Sequence, residues 1–82
     1  MEIYPKYYVD VVATGNRIAD FMTQKGLTVE ELSDIVGVAE SKSVSNWRNG
    51  KAFPSYRFLF AMSRAFDVAI EEIVVVVDVD LE

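Results

Sequence analysis

The sequence contains neither cysteine nor histidine. The first absence rules out disulfides and thiolate metal sites. The second removes the usual general base and the commonest metal ligand. No apolar run approaches the roughly 20 residues that a bilayer-spanning helix needs. The opening MEIYPKYYVD has neither the basic start nor the long apolar stretch of a secretory signal. Internal repeats and low-complexity linkers are also missing. These absences set the expectation of a soluble, cytoplasmic protein with no cofactor, no metal, no membrane partner and no small-molecule substrate. With 82 residues and an apolar share of 51%, residues 1–82 form a single domain with enough apolar material for a core.

One further absence is local. Residues 41–66 contain no carboxylate, yet they hold Lys42, Arg48, Lys51, Arg57 and Arg64. Residues 1–40 carry three bases against seven carboxylates, and residues 67–82 carry six carboxylates and no base. The formal net charge of −5 therefore hides one purely basic block. A chain arranged in this way has confined where an anion can dock.

The periodicity of the apolar residues predicts helices around this block. Ile18, Phe21 and Met22 make one stripe on a helix from about Thr14 to Lys25, stopped by Gly26. Thr28 and Glu31 have capping-box spacing, and Leu32, Ile35 and Val36 give the second helix its inner face before Gly37. A third helix runs from about Lys42 to Asn49, with Ser41 as its expected cap and Gly50 as its stop. Pro54-Ser55 opens a fourth, with Leu59, Met62 and Phe66 on one face and Phe58 at its edge. Asp67-Val68-Ala69 is a break, and Ile70 with Ile73 marks a short fifth helix. Residues 73–81 are β-branched with alternation at the end, which suits a strand, and residues 7–12 have similar propensity. The tail strand is expected to pair with that N-terminal segment or with the tail of a second chain.

The third helix carries the functional signal. Val44 and Trp47 lie on one side. Lys42, Ser45, Asn46 and Asn49 follow i, i+3, i+4, i+7 on the other. One cation, one hydroxyl and two amides without a carboxylate are the groups that bond base edges and phosphates in a DNA major groove. Taken alone, the stripe also fits a plain solvent-facing helix. The basic segment Arg48-Asn49-Gly50-Lys51 and the charge partition shift the balance toward double-stranded DNA. Trp47 reads as core rather than as a base-stacking platform. Glu30, Glu31 and Asp34 read as a solvated face near a helix N-terminus rather than as a cation site. Arg57, early in the fourth helix, is a candidate phosphate contact. Arg64 reads as solvent or salt-bridge material, and the tyrosines at 4, 7 and 8 as packing or interface residues.

Residues 14–74 resemble the Xre-type helix-turn-helix family, the DNA-binding fold of lambdoid phage repressors. The resemblance rests on an ordered set: Gly26-Leu27-Thr28, Glu31-Leu32, Val36-Gly37-Val38, Val44-Ser45-Asn46-Trp47, Asn49-Gly50-Lys51, Pro54, Leu59, Phe66-Asp67-Val68 and Ile70-Glu71-Glu72-Ile73. It implies an all-α, five-helix bundle, to which the residue pattern above adds a short C-terminal β-strand, with an acidic tail over 75–82 as strand or dimer contact. It also implies that the third helix enters the major groove. The DNA-binding residues so assigned are Ser41, Lys42, Ser43, Ser45, Asn46, Arg48, Asn49, Lys51 and Arg57.

Three departures from the family pattern stand out. The turn before Trp47 is one residue longer than is usual, which leaves Ala39 where a capping Ser or Thr is common. Val29 replaces a phosphate-contacting Gln. Met22 and Arg48 replace an Arg–Glu pair, both partners together, so no buried charge is stranded. The implied function is a sequence-specific transcriptional regulator acting as a homodimer. The alternative is the same fold used as a protein-interaction module, such as an anti-repressor or antitoxin, which the acidic balance favours. No base-activated nucleophile or paired-carboxylate arrangement suggests an enzyme.

Overall fold

The computed structural model describes residues 6–79. Five helices and two short strands follow in the order β1 Tyr7–Val9, α1 Val11–Lys25, α2 Val29–Val36, α3 Ser41–Arg48, α4 Tyr56–Phe66, α5 Ile70–Ile73 and β2 Val76–Asp78. The strands pair antiparallel, with Tyr7 opposite Asp78, Tyr8 opposite Val77 and Val9 opposite Val76. The five-helix expectation holds, and so does a C-terminal strand paired with the N-terminal segment.

Local chemistry sets most boundaries. The Asp10 carboxylate accepts the Ala13 N–H at 2.9 Å, so α1 begins three residues before the expected Thr14. That cap draws Val11 and Val12 into the helix despite their strand propensity, leaving only Tyr7–Val9 extended. The capping box of α2 forms as expected: Glu31 N–H donates to the Thr28 hydroxyl at 3.1 Å, and Thr28 N–H donates to the Glu31 carboxylate at 2.9 Å. Gly26 and Gly37 end α1 and α2 with left-handed backbone, φ 67° and 79°. Asp67 ends α4 in the same region at φ 59°, a conformation that Asp tolerates better than most residues.

The core joins all five helices: Ile18 and Met22 of α1, Leu32 and Val36 of α2, Val44 and Trp47 of α3, Leu59, Met62 and Phe66 of α4, and Ile73 of α5. Phe21 stacks on Phe66 with centroids 5.3 Å apart, tying α1 to α4. Among the described residues no buried side-chain polar atom lacks a partner. No helix is long and apolar enough to cross a membrane, and no cluster of metal-ligating side chains occurs, again among the described residues.

Three expectations need correction. Ile35 is not part of the inner face of α2; it is 52% exposed. Its place is taken by Ser33, which is buried because its hydroxyl donates to the Val29 carbonyl at 2.8 Å within the same helix. Ser41 does not cap α3. It is the first helical residue, Glu40 occupies the cap position, and no side chain bonds the first-turn amides. The tail strand is shorter than predicted, since Ile73 belongs to α5 and is fully buried. Of its predicted end, Asp80 and Leu81 lie outside the described residues.

The two-stranded ribbon is fastened to the bundle at its base. Asp10 N–H donates to the Val75 carbonyl at 2.8 Å, and Val75 N–H donates to the Thr14 hydroxyl at 2.9 Å. Thr14 is 1% exposed, so this bond is shielded from water. Thr14→Val keeps the shape and leaves the Val75 N–H unpaired; it is expected to cost about 1–3 kcal/mol in a denaturant melt. In hydrogen exchange, the Val75 and Val77 amides should be protected in the wild type, and Val75 should lose protection selectively in the variant.

Candidate nucleic-acid interface

The candidate surface is the outer side of α3 and its flanks, and its position is set by how closely α3 lies against α1. Gly15 faces the C-terminal end of α3. A Cβ placed on it would sit 2.4 Å from the Trp47 carbonyl oxygen, 2.9 Å from the Gly50 nitrogen and 3.2 Å from the Arg48 carbonyl oxygen. All three neighbours are main chain, so no rotamer change relieves the clash. Gly50, in left-handed backbone at φ 73°, meets the backbone of Val12 on the same side. Two glycines thus let main chain approach main chain.

Side chains hold the other surfaces of α3. Val44 is fully buried and Trp47 nearly so. The Trp47 ring meets Phe58 at 5.3 Å between centroids, tilted by 37°. The guanidinium of Arg57 lies 5.0 Å from the Phe58 ring centroid. A cation–aromatic–aromatic stack therefore connects the start of α4 to the anchor of α3. Beyond α3 the chain folds back at once: Asn49 N–H donates to the Ser45 carbonyl at 3.0 Å, and Lys51 N–H to the Asn46 carbonyl at 2.9 Å. These bonds hold the Arg48–Lys51 segment against the helix end.

None of the sequence-assigned residues is buried. Lys42, Arg48, Asn49, Lys51 and Arg57 are exposed, and Ser41, Ser43, Ser45 and Asn46 are half-buried. The stripe is therefore less open than helical periodicity alone suggests: its two ends are exposed, and its middle is half-buried. At the N-terminus of α3 the Ser43 N–H donates to the Glu40 carbonyl at 3.1 Å, and with no side-chain cap the Ser41 and Lys42 N–H groups are the ones an anion could meet. Glu40 puts a carboxylate at the cap position, and the first turn itself has none. Val29, at the position where a Gln is common, is half-buried against the core and offers no polar atom beyond its backbone. Met22, in place of the family's Arg, is buried, while Arg48 is exposed; the two do not share a site.

Two positioning residues escaped the sequence reading. Gly15 was hidden by its place near the expected start of the first helix, although a glycine inside a helix is itself a signal, since it costs about 1 kcal/mol relative to alanine. Thr14 gave no signal, because its partner is 61 residues away in sequence.

With this geometry in place, the comparisons with known proteins are informative. The helix-turn-helix family model matches residues 18–73, more than half of the chain. The chain belongs to the helix-turn-helix family, on its Xre-type branch. The HTH-type transcriptional regulator SinR of Bacillus subtilis (strain 168) is 38% identical over 56 residues, which are 68% of this chain and 50% of SinR. The chain thus spans about half the length of the curated relatives it matches. Among solved structures, the restriction-modification controller protein C.AhdI of Aeromonas hydrophila superposes with a TM-score of 0.71 at 26% identity, covering 78% of this chain and 96% of that one. SinR in complex with DNA superposes with a TM-score of 0.63 at 31% identity, covering 70% of this chain and 90% of that one. The relatives so named are regulators.

The helix-turn-helix geometry makes the Gly15 contact testable. A glycine-to-alanine change inside a helix ordinarily stabilises by up to about 1 kcal/mol. Gly15→Ala is expected to do the opposite, destabilising by about 1–3 kcal/mol through overpacking against main chain, as read by thermal or denaturant melts.

Proposed function

We propose that this chain is a sequence-specific double-stranded DNA-binding transcriptional regulator that inserts α3 into the major groove and acts as a homodimer on a two-fold site. The observation that carries the reading is a short helix anchored by Val44 and Trp47 whose outer side presents Lys42, Ser45, Asn46 and Asn49. Lys42 and the Ser41 and Ser43 hydroxyls lie at the helix start, where groove entry occurs in helix-turn-helix proteins. Asn46 is the side chain best suited to an adenine edge, through its paired donor and acceptor. Arg48, Lys51 and Arg57 flank the helix as phosphate contacts that set register without reading sequence. The Ser41 and Lys42 amides at the start of α3 add an uncharged phosphate site. The DNA complex of SinR supports this reading by analogy of fold and sequence. One such helix reads too few base pairs for a unique site, which favours a pair of chains on paired half-sites.

The second reading, a helix-turn-helix module that binds another protein, draws on the net charge of −5 and the acid-rich segments on either side of the basic block. Selection of duplexes from a random library separates the two, because a DNA regulator enriches a motif with two related half-sites. Asn46→Ala is expected to weaken the selected site by about 1–3 kcal/mol and to relax preference at one base pair. Lys51→Ala should weaken all duplexes alike and lower the salt slope of binding by about one. Both variants should melt like the wild type. No enriched duplex and no binding at low salt would favour the protein partner.

A further inference from the structure

The ribbon presents a feature that the bundle does not explain. An isolated two-stranded ribbon is marginally stable in water, yet this one leaves Tyr7 60%, Tyr8 57% and Val76 51% exposed. Its hydrogen-bond phase can be read from the two bonds that bracket it. Asp10 N–H donates to the Val75 carbonyl, and Val79 N–H donates to the Lys6 carbonyl, both at 2.8 Å. In an antiparallel ladder, bonded and non-bonded pairs alternate. Tyr8 and Val77 are therefore the bonded pair between them, and the main-chain groups of Tyr7 and Val9 point away from β2 along the edge of β1 that no other described strand pairs with.

We propose that this edge is a self-association surface: β1 pairs antiparallel with β1 of a second copy, about a two-fold axis through Tyr8. The register follows from the phase. Only pairing centred on Tyr8 sets the outward groups of Tyr7 against those of Val9 in the other copy, giving four main-chain hydrogen bonds. The same register places Lys6 opposite Asp10 of the second copy, an opposite-charge pair at each end. Asp10 uses Oδ1 for the Ala13 cap and keeps its second oxygen for that contact. The two Tyr8 rings become neighbours across the axis, on the face shared with Val77. The β2 edge is the poorer choice. Its outward residues include Asp78, and the sequence continues into Asp80 and Glu82, so self-pairing there gathers like charge. A four-stranded sheet in the order β2-β1-β1-β2 results. The contacts of Val12 and Gly15 with the end of α3 place the Arg48–Lys51 segment beside the start of α1, next to the base of this sheet.

The proposal rests on the homodimer part of the function above, not on its DNA part. The cysteine-free chain allows a clean test. Tyr8 is the non-bonded pair on the axis, where Cα atoms approach to about 4.5 Å, within the about 4.4–6.8 Å range that a disulfide accepts. Tyr8→Cys in a glutathione redox buffer is expected to give mostly covalent dimer at dilute protein. Val12→Cys, equally exposed but on α1 off the axis, and Val76→Cys on the β2 edge should give little. Equal or lower dimer for Tyr8→Cys than for Val12→Cys overturns the proposal, as does preferential cross-linking of Val76→Cys. An unmodified readout guards against loss of the ribbon in the variant. In the wild type, the Tyr7 and Val9 amides should be protected from hydrogen exchange at high concentration and lose protection on dilution. Fast exchange of both, with Val77 protected, contradicts the interface. Duplex selection with the same samples separates the two ideas: a two-half-site motif without the cross-link sinks the interface alone, and the cross-link without duplex binding sinks the DNA reading alone.

Discussion

The contact between Gly15 of α1 and the Trp47, Arg48 and Gly50 backbone governs the rest of the structure. It is a main-chain approach, so its geometry is fixed more stiffly than any side-chain interdigitation. α3 is only eight residues long and would not be a stable helix by itself. What makes it a rigid presenting element is that one end is pressed against α1 while Val44 and Trp47 plug its inner side into the core. The Trp47–Phe58–Arg57 stack then transmits that fixed position to the first turn of α4. Two cationic flanks and a polar helix face are thereby held in one frame, and preorganisation of this kind reduces what is lost on binding.

Charge and packing divide the labour. The buried interior is almost entirely apolar, with Thr14 and Ser33 as its polar members, and each of these is satisfied by a main-chain partner. Electrostatics is left to the surface. Along the sequence, carboxylate-rich segments 1–40 and 67–82 flank a basic middle, and like-charge repulsion disfavours an anion at those segments more than beside α3. The acidic ends also oppose stray association through other faces, which sharpens rather than weakens the case for a localised docking surface.

Much of this was legible in the sequence, and the reasons are specific. The Thr28–Glu31 box, the Gly26 and Gly37 stops and the Leu59–Met62–Phe66 stripe are local signals, each decided within one or two turns of chain, and all appear where expected. The ribbon was legible as propensity but not as extent, because the Asp10 cap and the burial of Ile73 claimed residues from both strands. Ile35 and Ser33 were misjudged for one reason: periodicity measures hydrophobicity, and a serine that bonds its own helix backbone counts as apolar. The half-buried state of Ser45 and Asn46 was not visible in helical periodicity alone, and the partnership of Thr14 with Val75, 61 residues apart, is encoded by no local pattern.

The asymmetry of α3 bears on where this domain can accept a change in length. Its C-terminal end is immobilised by Gly15 and by the bonds from Asn49 and Lys51, while its N-terminal end has no capping side chain. The connector over 38–40 joins the helix at that uncapped end. An added residue there is absorbed by shifting where the first turn begins, with the tryptophan anchor as the fixed point. The connector and the first turn can therefore change together without disturbing the packing that keeps the domain folded.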